Sequence, residues 1–153
     1  MSDVLLRLDE FLPYRLSYTS NLVSDTVAGT YIALFDLRIP EWRLITVAAE
    51  EGGATQQQIG QRTRMDKVTV SRAAIALVER GLMQRVPHPD DKRSHLLRLT
   101  PSGDELYRQV APKALELERR IFSTFDRAEL AAFTATLRKI DAAILALEAE
   151  KGR

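Results

Sequence analysis

The sequence predicts a mostly α fold with a small β-hairpin wing. Three observations point there. Most apolar residues recur at steps of three and four, the period of a buried helix face. Helix-start signals, a Thr or Asp with Gln or Glu three residues on, recur along the chain. Strand-like character is confined to Leu82–Pro87 and Ser94–Thr100, with the polar tip His88–Arg93 between them.

Residues 15–36 read as a long helix, with Leu16, Val23, Val27, Tyr31, Leu34 and Phe35 on its apolar stripe and Pro13 just ahead. Pro40 opens a second helix, which Gly52–Gly53 end. Thr55-Gln-Gln-Gln58 is a capping box that starts a short helix through Ile59 to about Thr63–Met65. Asp66 caps a helix over 67–80, and Gly81 stops it. The hairpin follows. Thr100-Pro101 then starts a helix to about Phe125, and Asp126-Arg-Ala-Glu129 starts the last one. That helix carries Leu130, Phe133, Leu137, Ile140, Ile144 and Leu147 as a heptad seam.

Residues 39–100 thus follow a winged helix-turn-helix plan, expected to form a DNA-binding domain. The flanks, 1–38 and 101–153, have stripes too large for one small domain to cover. They are expected to pair with a second copy, so the winged helix-turn-helix sits embedded in a helical homodimerisation region.

Composition excludes more than it assigns. The chain has 153 residues, 22 Lys+Arg against 21 Asp+Glu, no cysteine and two histidines. No disulfide, thiol nucleophile, thiol switch or Cys-based zinc site can form. There is no Ser/His/Asp arrangement and no Gly-rich phosphate loop, so neither an enzyme nor a cofactor is expected. No apolar run approaches the roughly 18 residues of a membrane span, and the start lacks a signal peptide's regions. A cytoplasmic protein with no membrane partner is expected. The net charge of +1 hides an uneven distribution: −3 over 1–36, +4 over 37–100 and 0 over 101–153. A basic segment between acidic and neutral flanks is the footprint of a nucleic-acid surface, though a solvated face also has this composition.

The 67–80 helix carries the sharper signal. Val70, Ala73, Ala74, Leu77 and Val78 share its core side. Val68, Arg72 and Ile75 fall opposite, with Lys67, Thr69 and Ser71 near the first turn. Arg72 suits a bidentate pair with guanine, and Val68 suits a thymine methyl. Lys67, Thr69 and Ser71 suit phosphates, which position the helix without reading sequence. At the hairpin tip, Arg93 suits a narrow minor groove, with Asp91 expected to pair with it and orient it. His88, Asp90, Asp91 and His95 lie close together, but their spacing matches no zinc pattern, so no metal site is assigned.

These residues resemble the MarR family, the multiple antibiotic resistance regulators. The resemblance rests on Thr69-Val-Ser-Arg72, Leu77-x-x-x-Gly81-Leu82, Asp91-Lys-Arg93 and Leu97-x-Leu99-Thr100, and it covers nearly the whole chain. It implies a homodimeric transcriptional repressor whose two winged domains read a palindromic double-stranded DNA operator. It implies DNA contacts at Lys67, Thr69, Ser71 and Arg72, and a minor-groove arginine at Arg93 oriented by Asp91. It also implies release by a small-molecule effector bound between the dimer helices and the winged domain. Lack of cysteine excludes the peroxide-sensing branch, and two wing histidines do not supply a zinc sensor's ligands. Leu12-Pro-Tyr-Arg-Leu-Ser17 resembles members that control breakdown of hydroxycinnamate-type acids, some of which sense the coenzyme-A thioester. An aromatic acid or acyl-CoA effector is therefore expected, with Tyr14, Arg15, Tyr18, Trp42 and Arg43 as candidate ligand residues. Trp42 and Tyr18, however, are residues more often found in a core or dimer interface. The competing functions are a helical small-molecule-binding protein and an interaction adaptor, neither binding DNA.

Overall fold

The computed structural model describes residues 4–152, so Met1–Asp3 and Arg153 of the expected dimerisation region lie outside the described residues. After a 3-10 turn at Leu8–Glu10 come α1 (Leu12–Phe35), α2 (Ile39–Glu51), α3 (Gln56–Thr63) and α4 (Lys67–Glu79). The strands β1 (Met83–Pro87) and β2 (His95–Leu99) follow, then α5 (Pro101–Ile121) and α6 (Arg127–Lys151). The fold is mostly helical with a two-stranded antiparallel hairpin, as the sequence predicts. The chain divides into two compact units, one ending at Leu115 and one starting at Glu116.

Local chemistry sets most boundaries. Thr55 accepts a hydrogen bond from the Gln58 amide at 3.1 Å, and Gln58 Oε1 accepts from the Thr55 amide at 2.9 Å. Asp126 and Glu129 exchange the same pair of bonds at the start of α6. Gly52 and Gly81 take left-handed backbone at φ 73° and 72° where α2 and α4 finish. Two helices differ from expectation at their ends. α1 begins at Leu12, ahead of Pro13, because a first-turn proline forfeits no helical bond. α5 stops at Ile121 rather than Phe125. There Ser123 donates its hydroxyl to the Arg120 carbonyl, and the chain must reach extended backbone at the Asp126 cap.

The core of the first unit lies between α2, α3, α4, the hairpin and α5. Leu37, Leu44, Ile45, Ile59, Val70, Leu77, Met83, Leu97 and Val110 are fully buried in it. β1 and β2 pair Met83 with Leu99 and Pro87 with His95. A third, one-residue strand joins them: the Ala54 amide donates to Leu97 O at 3.2 Å, and the Leu97 amide donates to Ala54 O at 2.8 Å. Gly53 permits that approach. At φ 136°, a Cβ there would stand 2.9 Å from Arg98 Cγ.

The end of α4, the hairpin base and α5 meet at one junction. Thr100 Oγ1 donates to Gly81 O at 2.6 Å and accepts from the Gly103 amide at 3.1 Å. A Cβ on Gly103 would lie 1.9 Å from Leu82 O, so only glycine fits without backbone movement. Gly103→Ala should therefore cost about 1–3 kcal/mol, read as a lower urea midpoint at unchanged m-value. Gly29→Ala is the contrast: an added Cβ on that exposed face of α1 meets nothing within 4 Å. It should be neutral or stabilising by up to about 1 kcal/mol. A Gly103→Ala midpoint equal to wild type would contradict the tight junction.

Candidate nucleic-acid interface

The face that α4 presents is fixed by the face it buries. Val70, Ala73, Ala74 and Leu77 are buried, and Val78 packs partly against the same core. Val68 and Ile75 are left 58% and 48% exposed, side by side on the outward face. Lys67 and Arg72 are exposed beside them, and Ser71 is half-buried. Val68, Arg72 and Ile75 thus share the exposed face, while Lys67 borders the hollow toward α3 and Thr69 the hollow toward Asp36 and Arg38.

The first turn of α4 holds a stronger cap than expected. The Thr69 amide donates to Asp66 Oδ1 at 2.7 Å, and the Thr69 hydroxyl donates to Asp66 Oδ2 at 2.9 Å. In this arrangement the single hydroxyl proton of Thr69 is directed to Asp66. These two donors, the amide first, hold the Asp66 carboxyl below its ordinary value.

The wing tip organises itself. The His88 amide donates to Ser94 O at 3.2 Å, and the Asp90 amide donates to His88 Nδ1 at 3.0 Å. Asp91 does not pair with the Arg93 guanidinium, contrary to expectation. Its Oδ1 accepts from the Arg93 backbone amide at 3.0 Å, an Asx-type turn that fixes the chain and leaves the guanidinium exposed. Asp91 thus orients Arg93 through the backbone.

The basic residues divide into tied and untied groups. Arg62 pairs with Glu50 and, at 2.5 Å, with Glu51. Arg80 bonds carbonyls at the end of α1, and Arg85 donates to Gln56 Oε1 at 2.7 Å. Among the described residues, Arg64, Lys67, Arg72, Lys92, Arg93 and Arg98 form no ion pair, and all are exposed. Their charge is available to phosphates.

Sequence reasoning overlooked part of this surface. Gln56, Gln57, Gln61, Met65 and Lys67 line a hollow of about 620 Å³ between α3 and the start of α4. The Gln run reads locally as a cap, but only Gln58 serves the cap, while Gln56 reaches the wing strand through Arg85. Another hollow, of about 680 Å³, borders α4 where Thr69 and Arg72 meet Asp36, Arg38 and Glu41.

The expected ligand residues separate into two groups. Tyr14 and Tyr18 lie with ring centroids 6.0 Å apart, and Arg15 sits 5.3 Å above the Tyr18 ring. Trp42 is elsewhere, stacked between Tyr31 at 5.0 Å and Tyr107 at 5.7 Å. Tyr18 and Tyr31 are separated by about 20 Å of helix at about 1.5 Å per residue. One chain therefore does not bring the five residues into a single pocket. Trp42 is a packing residue of the first unit, and Arg43 is exposed on α2. Burial of Tyr31 in the stack pushes its hydroxyl above the usual value.

Comparison with known proteins now decides the family. The MarR family model matches residues 37–95. An uncharacterized protein of Mycobacterium tuberculosis (strain H37Rv) is 31% identical over 110 residues, 72% of this chain and 74% of that one. This chain belongs to the MarR family. The multiple antibiotic resistance protein MarR of Salmonella typhimurium is 25% identical over 134 residues, 86% of this chain and 93% of its own length. A crystal structure of a MarR/EmrR family transcriptional regulator from Acinetobacter sp. ADP1 superposes with a TM-score of 0.84 at 26% identity. It covers 91% of this chain and 98% of that one. The protein is thus a winged helix-turn-helix DNA-binding transcriptional regulator and not an enzyme. MarR membership implies operator binding and dimerisation. Among the described residues, no helix is long and apolar enough to cross a membrane.

The Asp66 cap gives a pH signature. Because its folded carboxyl titrates below the unfolded value, the cap is complete above about pH 4. It is lost as pH falls through the lowered folded value. The Thr69 amide resonance should hold steady down to about pH 4 and move only below it, and Asp66→Asn should abolish that titration. A Thr69 resonance that moves at or above the ordinary aspartate value would contradict the cap.

Proposed function

We propose that this protein is a homodimeric, ligand-responsive repressor that binds a palindromic operator and leaves it when a small aromatic acid or its CoA thioester binds. The observation that carries the DNA reading is the outward face of α4, where exposed Val68 and Ile75 flank the unpaired Arg72. In this reading Arg72 takes a guanine edge, Val68 meets a thymine methyl, and Lys67 and Ser71 hold phosphates. Arg93 enters the minor groove, with Asp91 fixing the turn that aims it. Exposed Leu16 and Leu22 on α1, and Phe133, Ile144 and Leu147 on α6, supply apolar surface for a second copy.

The effector reading rests on the Tyr14–Arg15–Tyr18 cluster. Two aromatic rings offer faces to an aromatic ligand, and a guanidinium already aligned over one of them suits a carboxylate or phosphate. Trp42 is not included, because it stacks with Tyr31 and Tyr107, away from the Tyr14–Tyr18 cluster.

Fluorescence anisotropy on a duplex selected from a random pool by the wild-type protein tests both parts. Arg72→Ala should weaken specific binding by about 1–3 kcal/mol and relax preference at one position per half-site, with the dimer intact. Arg93→Ala should reduce the salt dependence of binding as a phosphate-proximal charge is lost. 4-Hydroxycinnamate or its CoA thioester should release wild-type protein, and Arg15→Ala should raise the concentration needed. Unchanged specificity in Arg72→Ala would sink the DNA assignment. Release of Arg15→Ala at the wild-type concentration would sink the effector site.

A further inference from the structure

The C-terminal end of the reading helix is fastened to the C-terminal end of α1 by one side chain. Arg80, the residue that follows α4, donates Nη1 to Asp36 O at 2.7 Å and Nη2 to Phe35 O at 3.0 Å. These carbonyls close the last turn of α1, where oxygens lack helical partners and the helix dipole is negative. Asp36 adopts left-handed backbone, φ 53° and ψ 46°, at the turn that leads into α2. The guanidinium fork meets both oxygens at once, a geometry that a single point charge does not specify.

Among the described residues, no other side-chain hydrogen bond joins α1 or its cap to α4. α1 also meets the reading head through Tyr31, stacked on Trp42, and the chain then runs through buried Leu37 into α2. Those contacts hold α1 to α2, whereas the Arg80 bonds run from the end of α4 to the end of α1 directly. The two Arg80 bonds have direction and lie at the far end of α4 from the bases it meets. α1 also bears exposed Leu12, Leu16, Leu22 and Ile32, so its orientation is tied to whatever surface a second copy covers.

We infer that Arg80 is a positioning residue: it fixes the angle between α1 and α4, and thereby the spacing at which a dimer presents its two reading helices. The inference rests on the reading of the chain as a dimeric operator-binding protein. In a two-fold complex, half-site separation mirrors the separation of the recognition helices. A loosened Arg80 joint should therefore blur spacing while leaving base preference within each half-site intact.

The test compares wild type, Arg80→Ala and Arg80→Lys on the selected duplex and on versions with one base pair inserted or removed between half-sites. Wild type should bind the altered duplexes at least about tenfold more weakly. Arg80→Ala should lose about tenfold on the original duplex, discriminate spacing by less than about threefold, and keep the wild-type salt slope. Arg80→Lys, which keeps the charge but not the planar fork, should recover part of the discrimination, and it serves alone if Arg80→Ala does not fold. Discrimination equal to wild type in these variants overturns the inference. So does a salt slope in Arg80→Ala reduced by about 1, which would make Arg80 a phosphate contact. Failure of the wild-type protein to select or bind any duplex would instead refute the operator-binding reading itself.

Discussion

Everything the reading head can do depends on the rotational phase of α4. Val70, Ala73, Ala74 and Leu77 are buried, and the two adjacent alanines let the helix backbone sit close to the core. A helix has about 3.6 residues per turn, so once those positions point inward, Val68, Arg72 and Ile75 must point out. A larger residue at Ala73 or Ala74 would force the helix outward or rotate it. Either change would re-aim Arg72. The chemistry of recognition is thus set by packing on the opposite face.

The ends of α4 are held by different means. Asp66 secures the first turn with two bonds to Thr69. At the other end, Gly81 turns the chain, and Thr100 bridges its carbonyl to the Gly103 amide. That bridge ties the base of the wing to the end of the helix. The wing tip needs no ion pair for its shape, because the bonds of His88, Asp91 and Ser94 close it locally. Electrostatic cost is avoided too: the exposed cations there remain unpaired until a polyanion arrives.

What was legible in the sequence was local. The Thr55 and Asp126 capping boxes, the Asp66 cap, the Gly52 and Gly81 stops and the phase of α4 all depend on residues within about one helical turn. What was not legible depends on distant partners. Nothing near Ala54 announces that it pairs with Leu97, or near Arg80 that it reaches Phe35 and Asp36. Trp42 illustrates the limit: as a lone aromatic near an arginine it resembles a ligand wall, yet it stacks with Tyr31 and Tyr107, which are distant in sequence. Asp91 and Arg93 illustrate another, since proximity in sequence suggests an ion pair while the turn satisfies the carboxylate with an amide.

In the proposed reading, the outward faces of two α4 helices meet base edges in adjacent major grooves. Guanine N7 methylation interference on a duplex selected by the wild-type protein tests it most directly, because that atom is an acceptor Arg72 would use. Interference is expected at two symmetric clusters about 10 base pairs apart, one per half-site. Binding that tolerates N7 methylation at every guanine, or a single cluster with no symmetric mate, would contradict it.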